Sequence, residues 1–470
     1  MEIGQVIKSV IVGILLIPVY TQAQIVTYPV PRQLYYARHN DDYTVKVRQV
    51  GENKWTDLFE YNVKVDADTR SDASMVQFDF DGRVEVLVQK NNGEINSVNI
   101  RPLAKGIQPV IDGNFVLFTI DKPQKLSVEF NGDRLHNLHL FANAIRTNVP
   151  DKNAPGVIYF EAGYHEPTDS IAKNFPIPSN TTVYLEGGAV LKGPLLCDHV
   201  ENVKIIGNGM LHETSNGITV NYSENVVIDG VMVVNPRYNT VTVGQSKDVT
   251  IKNVKSFSYQ GWGDGLDFFC CKHVLVEDVF MRNSDDCIAV YGHRWNFYGN
   301  TEDITVRHST LWADIAHPIN IGTHGDTTTE GEVLENMLFT DIDILEHDED
   351  DPDYQGCMAI NVGDHNLARN IVFDNIRVEH IQEGQLFHLR VMYNEKYNSG
   401  PGRGIHDVTF RNISFMGKYI NPSLIEGYDK KRTVHNITFE NIRINGYEVM
   451  TLDALNLNKK KHVGKIFIAF

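Results

Sequence analysis

From about residue 155 onward, apolar and polar positions alternate in short runs that keep returning: "ENVKIIGNG", "ENVVIDGVMV", "KDVTIKNVKS", "KHVLVEDVFM", "EDITVRHSTL", "RNIVFDNIRV", "HDVTFRNISF" and "HNITFENIRI". Aligning Val203, Val226, Val249, Val274, Ile304, Met337, Ile371, Val408 and Ile437 gives intervals of 23, 23, 25, 30, 33, 34, 37 and 29 residues. One short strand per interval, with Asn and Asp at the corners, predicts a right-handed parallel β-helix over 155–470. Helical periodicity is nearly absent, which makes a βαβ fold a poor rival. Over 25–147 the pattern changes to period-two runs such as "YTVKVRQV", "RVEVLVQK", "VLFTI" and "KLSVEF", broken by turns such as "NNGE" and "NGD". That spacing predicts an antiparallel β-sandwich, joined to the repeats by "RTNVPDKNAPG". The fold class is therefore all-β, an N-terminal β-sandwich followed by a parallel β-helix.

Each coil carries a second strand at a similar offset: "NTVTVG" (239–244), "DGLDFF" (264–269), "DDCIAVYG" (285–292), "HPINIG" (317–322), "MAINVG" (358–363) and "LFHLRV" (386–391). Stacked coils superpose such strands about 4.8 Å apart, so the residues just ahead of them form a column. The column reads Asn239, Asp264, Asp285 with Asp286, then His317, with Arg390 further along its own strand. Adjacent carboxyls cannot all ionise at ordinary cost; the least solvated holds its proton, while its neighbours can activate water. Those are the two roles that glycoside hydrolysis requires. Turn-forming Asp residues are common in β-helices for their backbone alone, but three in register with a His on the next coil favour chemistry.

A formal charge of -17 over 470 residues argues against nucleic acid or an anionic membrane as partner. The N-terminus has Lys8, an apolar run from Val10 to about Tyr20, and "TQA" before Gln24. This predicts a signal peptide over 1–23, too short for a comfortable membrane span, and hence a secreted or periplasmic protein without an anchor. Cys197, Cys270, Cys271, Cys287 and Cys357 are too few and too unevenly spaced for a disulfide scaffold, and no Cys-x-x-Cys pair is present. They are expected as small buried apolar residues. No metal or other cofactor is called for, and the acidic run "EHDEDDPDY" (346–354) is expected as a solvated loop rather than a calcium site.

"GDGLD" (263–267), "SDDCIAV" (284–290) and "HPINIG" (317–322) resemble the motifs of the polygalacturonase family, glycoside hydrolase family 28: Asn-Thr-Asp-Gly-x-Asp, Asp-Asp-Cys and His-Gly-x-x-Ile-Gly. Asp264 and Asp285 stand 21 residues apart, the family's usual interval. The sandwich ahead of the helix, with "LEGGAVLKGP" and "VNIRPLAKGI", is similar to the dextranase and isopullulanase family, number 49, of the same clan. The resemblance implies an inverting hydrolase of α-linked polysaccharide or oligosaccharide. In it Asp285 is the general acid, Asp264 and Asp286 activate water, and His317 supports the acid.

Two departures bear on the substrate. Trp262 and Gly263 replace the family's Asn-Thr, and the downstream Arg-Ile-Lys that grips a uronate is here "RVM", with Arg390 kept and Met392 in place of Lys. An insertion, "GHRWNFYGNTED" (292–303), is expected to overhang the cleft, with Trp295, Tyr298 and Trp262 stacking on sugar rings and Arg294 reaching a hydroxyl. Arg390, Asp267 and Asn239 complete the candidate substrate contacts. A β-helix polysaccharide lyase, or a non-catalytic glycan-binding β-helix, remains the alternative.

Overall fold

The computed structural model describes residues 24–418 and 421–469, so the expected signal peptide over 1–23 lies outside the described residues. Two sheets form the N-terminal sandwich. The first orders Ile25–Val26, Ser71–Phe80, Asp133–Ala144, Gln124–Phe130 and Val98–Arg101, with Tyr61–Val65 also paired to Ser71–Phe80. The second orders Thr56–Asp57, Tyr43–Gln49, Val84–Lys90, Phe115–Ile120 and Val110–Asp112. Alternate residues of both sheets, among them Val45, Val86, Phe78 and Leu126, close the core between them. One pairing departs from the antiparallel expectation: Asp133–Ala144 runs parallel to Ser71–Phe80. A long connection separates these two strands, so they need not pair as a hairpin.

The rest is a right-handed parallel β-helix, and its register reproduces the sequence alignment. Val203, Val226, Val249, Val274, Ile304, Met337, Ile371, Val408 and Ile437 are successive cross-strand partners. The residue before each of them (Asn202, Asn225, Asp248, His273, Asp303, Asn336, Asn370, Asp407 and Asn436) sits in the left-handed region, with φ between 53° and 59°. Asn and Asp tolerate that turn better than most residues because their short side chains bond locally. Here they also bond along the stack, as from Asn225 to Asn202 at 2.8 Å and from Asn370 to Asn336 at 2.6 Å. Inside, the aliphatic column is continued by a ladder of stacked rings, Phe339, Phe373, Phe410 and Phe439, with centroids 4.9–5.2 Å apart. Full burial of each such side chain contributes about 1.5–3 kcal/mol. All five cysteines are buried and unpaired, as their sequence contexts predict.

The sandwich docks on one face of the helix. Val63, Met75 and Phe141 pack against Met210, Val234, Phe257 and Phe280. Through the same interface Arg282, fully buried, pairs with Asp314 at 2.9 and 3.0 Å, reaches Asn137 of the sandwich at 2.9 Å, and lies 4.0 Å over the Trp312 ring. The opposite face of the second-strand sheet is left open.

Candidate active site

That open face holds a cleft of about 920 Å³, lined on its floor by the strands that follow the predicted column. Leu266 and Phe268 point into the aliphatic core, so the alternation of the strand turns Asp267 and Phe269 outward into the cleft. Leu266 pairs with Ile288 and Ala289 with Asn320, a register that stacks Asp264, Asp286 and His317 on successive coils. Backbone bonds hold that stack: Gly265 N–H donates to the Asp286 carbonyl at 2.9 Å and Cys287 N–H to the His317 carbonyl at 2.8 Å. The approach requires glycine at 265, where a Cβ would lie 2.3 Å from the Cys287 carbonyl oxygen.

The turn that delivers Asp264 is pinned from below. The Asn283 amide reaches Ser258 Oγ and the Gly263 carbonyl, both at 3.1 Å, and Ser258 Oγ donates to the same carbonyl at 2.6 Å. Trp262 itself carries a φ of 64°, sustained because its N–H donates to Asp285 Oδ2 at 2.9 Å.

One carboxylate oxygen from each of Asp264, Asp285 and Asp286 lies within 4.8 Å of the others. Their surroundings differ. Burial pushes the Asp285 carboxyl up and the Asp286 charge adds to it; the Trp262 and Asp286 N–H groups oppose, and the result is about 6. Burial would push Asp286 up too, but His317 outweighs it and the carboxyl is held below its usual range. Asp286 Oδ1 takes His317 Nδ1 at 2.6 Å and His317 N–H at 3.1 Å; Oδ2 takes Tyr291 Oη and Asn320 Nδ2, both at 2.8 Å. Four donors use up about all the acceptor sites a carboxylate has. His317 is fully buried, and burial opposes its charge, yet Asp286 raises it to about 9, with Nε2 on the Tyr354 carbonyl. The imidazolium thus serves Asp286 directly and Asp285 only through space.

Asp264 accepts no hydrogen bond from another described side chain, and burial with three neighbouring carboxyls lifts its proton affinity well above the ordinary value. Asp267, bonded by Asn239, is raised for the same first reason. The close carboxyls could gather about a cation, but Asp286 has no acceptor site left for one, so the donor set suits proton sharing better than metal binding.

Of the expected substrate contacts, Trp262, Asn239, Asp267, Arg294 and Trp295 all line the cleft. Tyr298 does not: it turns away and stacks on His293, with centroids 4.2 Å apart. Arg390 also stays outside, taken up by Asp353 at 2.9 Å and Glu426 at 3.4 Å, while Met392 is buried. The acidic run is solvated in part: Asp350 and Asp353 are exposed, but Glu346 pairs with Arg101 at 2.7 Å, and Glu349 lines the cleft, where burial lifts it to about 7. Tyr291, Asn320, Tyr354, His324, Lys396 and Tyr397 belong to the site without having been singled out. Tyr291 and Asn320 lie within the quoted "DDCIAVYG" and "HPINIG", where strand alternation would have placed Asn320 outward. The others come from loops that only the coil stacking brings over the cleft.

The model of glycosyl hydrolases family 28 matches residues 199–462. Among solved structures, Dex49A from Penicillium minioluteum superposes with a TM-score of 0.65 at 15% identity, covering 94% of this chain and 96% of that one. A family 28 exopolygalacturonase from Yersinia enterocolitica gives 0.52 at 12% identity, covering 83% and 96%. At such identities these likenesses speak for the fold alone. No curated protein matches the sequence significantly. The family match spans more than half of the chain and contains the whole carboxylate cluster with His317 and the strands that carry them, and on that ground the chain belongs to glycosyl hydrolases family 28.

Proposed function

We propose that this glycosidase is a secreted enzyme that hydrolyses an α-linked glycan with inversion, Asp285 acting as general acid. The observation that carries the reading is the division of proton affinity within one cleft: Asp285 is lifted to about 6 while Asp286 is held ionised by His317. Two groups pushed apart in this way are how a site runs acid and base chemistry together. In the step, Asp285 gives its proton to the glycosidic oxygen as the bond to the anomeric carbon breaks. Water adds to that carbon from the opposite face, and its proton passes to a carboxylate.

Asp264, whose oxygens are free of side-chain donors, is suited to take that proton once it has lost its own, its raised proton affinity then making it the stronger base. Asp286 contributes its fixed negative charge beside the developing oxocarbenium ion. The carboxyls are closer than the spacing generally associated with inversion. What favours inversion is that Asp286, the group kept ionised, has both oxygens covered and so makes a poor nucleophile. The cation pair with which the family pattern meets a uronate is not offered here, because Arg390 is engaged by Asp353 and the buried Met392 takes the place of the Lys. A neutral or only partly acidic glycan fits better, with Trp262 and Trp295, both exposed, stacking on its rings.

The test is turnover of polygalacturonan, rhamnogalacturonan, dextran and pullulan, with product sizing and proton NMR of the first-formed anomer. A retained anomer would overturn the mechanism. Efficient cleavage of fully acidic galacturonan that weakens with salt would overturn the substrate reading.

A further inference from the structure

The two ends of the cleft differ. Toward the N-terminal coils its floor continues through Thr242, Thr219 and Asn221, all half-buried. The next coil down turns Leu196, half-buried, and Asp198, exposed, to the same side, so the groove runs out along the sheet. Toward the C-terminal coils the floor stops at Ile288–Tyr291. The outward residues of the strands that follow, Asn320, Ala359, Asn361 and His388, are fully buried, and none of them lines the cleft.

Two loops cover them. The loop over 347–357 lays Gly356 on His388, so closely that a Cβ there would lie 2.5 Å from the His388 Cβ. The loop over 392–403 sets Asn398 on Gly363 and is tied down by the Asn398 amide, which donates to the Thr323 carbonyl at 2.6 Å, and by Asp364 Oδ1, which takes the Ser399 and Gly400 N–H groups at 2.6 and 3.1 Å. The loops meet where Tyr354 and Tyr397 stack, with centroids 4.7 Å apart and 28° between the rings. Both rings line the cleft, and this wall is braced from behind: Asn320 Nδ2 donates to Tyr354 Oη at 2.7 Å, and Thr323 Oγ1 lies 2.6 Å from the same oxygen.

The carboxyl cluster lies near this closed end. Asp285 and Asp286 stand just ahead of Ile288–Tyr291, and the wall rises one to two coils further on, about 5–10 Å at the spacing of stacked strands. That leaves room for one or two sugar rings. A glycan continuing along the groove would run into Tyr354 and Tyr397, whereas a chain end fits in front of them. A chain end also carries a hydroxyl where an internal sugar continues in a glycosidic bond, and Glu349 and Lys396, lining the cleft beside these rings, offer that hydroxyl polar partners.

We propose, resting on the glycosidase reading above, that the enzyme acts on chain ends. The end of the glycan sits against Tyr354 and Tyr397, the rest of the chain lies along the open groove toward Thr219, and each hydrolytic event releases a mono- or disaccharide.

Two measurements test this on linear, sized fractions of the four glycans named above. Product sizing at early conversion with the unmodified enzyme should show one short product, while the polymer stays near its starting length. Isothermal titration with the Asp285→Asn protein should give one bound protein per glycan chain, the same for short and long fractions. A glycan that the unmodified protein does not cleave is titrated with that protein directly, so the stoichiometry is readable even if the variant fails to fold. Tyr397→Ala, with thermal unfolding as the folding control, should lengthen the released product, because the pocket then extends further along the chain. Oligosaccharides of mixed length at early times, bound protein that increases with chain length, or no binding to any of the glycans would each overturn the proposal. An unchanged product from folded Tyr397→Ala would overturn the assignment of the wall to that loop. One protein per chain without turnover of any glycan would instead leave the closed end standing and defeat the hydrolytic reading.

Discussion

Asp286 Oδ1 and His317 Nδ1 meet at 2.6 Å, and neither side chain is more than 4% exposed. The pair keeps one negative charge fixed beside Asp285, and that charge is part of what raises the Asp285 carboxyl.

Replacing Asp285 by Asn should lower kcat by about two to four orders of magnitude while leaving glycan binding intact. Because the acid must be protonated and its pKa is about 6, kcat of the unmodified enzyme should fall as pH rises through that value. A kcat that stays level from pH 5 to about 8 would remove Asp285 from the role.

The buried pair also makes a stability prediction. His317 has a folded pKa of about 9 against an ordinary 6.5, so its contribution is fully present below about pH 6.5 and is lost as pH rises through 9. His317→Gln should therefore destabilise by about 3–5 kcal/mol near pH 6 and by distinctly less above pH 9. Urea unfolding of both proteins at the two pH values measures the difference; an equal loss at both would mean that the imidazole is not charged in the folded state.

Asp264→Asn and Asp286→Asn should each be severe and the double variant little worse than the worse single, as for groups acting in one step. They should differ in kind. Removing the Asp286 charge should shift the alkaline limb of the remaining activity to lower pH, since that charge raises Asp285. Added azide should restore turnover to Asp264→Ala more than to Asp286→Ala, because only the former vacates a position open to the nucleophile. The reverse order of rescue would exchange the two roles.

Arg390→Ala should change kcat/KM by no more than about twofold, its guanidinium being engaged by Asp353 and Glu426 away from the cleft. Trp295→Ala should raise KM about three- to tenfold with little change in kcat, as expected when ring stacking is lost. Steady-state kinetics on one soluble oligosaccharide decide both, and a large kcat effect at Arg390 would return it to the site.

The repeat, its register and the column of Asp264, Asp286 and His317 follow from sequence because a parallel β-helix converts intervals along the chain into vertical stacking. An aliphatic residue preceded by Asn, Asp or His marks each coil, and once one coil is aligned the neighbours are placed. The carboxylate cluster is local in that sense, needing only adjacent coils. What the tertiary structure alone decided are the contacts that depend on where long loops and side chains finally point. Arg390 sits at the expected height on its strand, yet Asp353 and Glu426 draw its charge off the cleft. Tyr298 belongs to the insertion, yet its ring lies on His293. Glu349, Lys396 and Tyr397 arrive from loops whose lengths carry no periodicity. Periodicity specifies a residue's coil and face; the partner that claims its charge is chosen by packing between segments far apart in the chain.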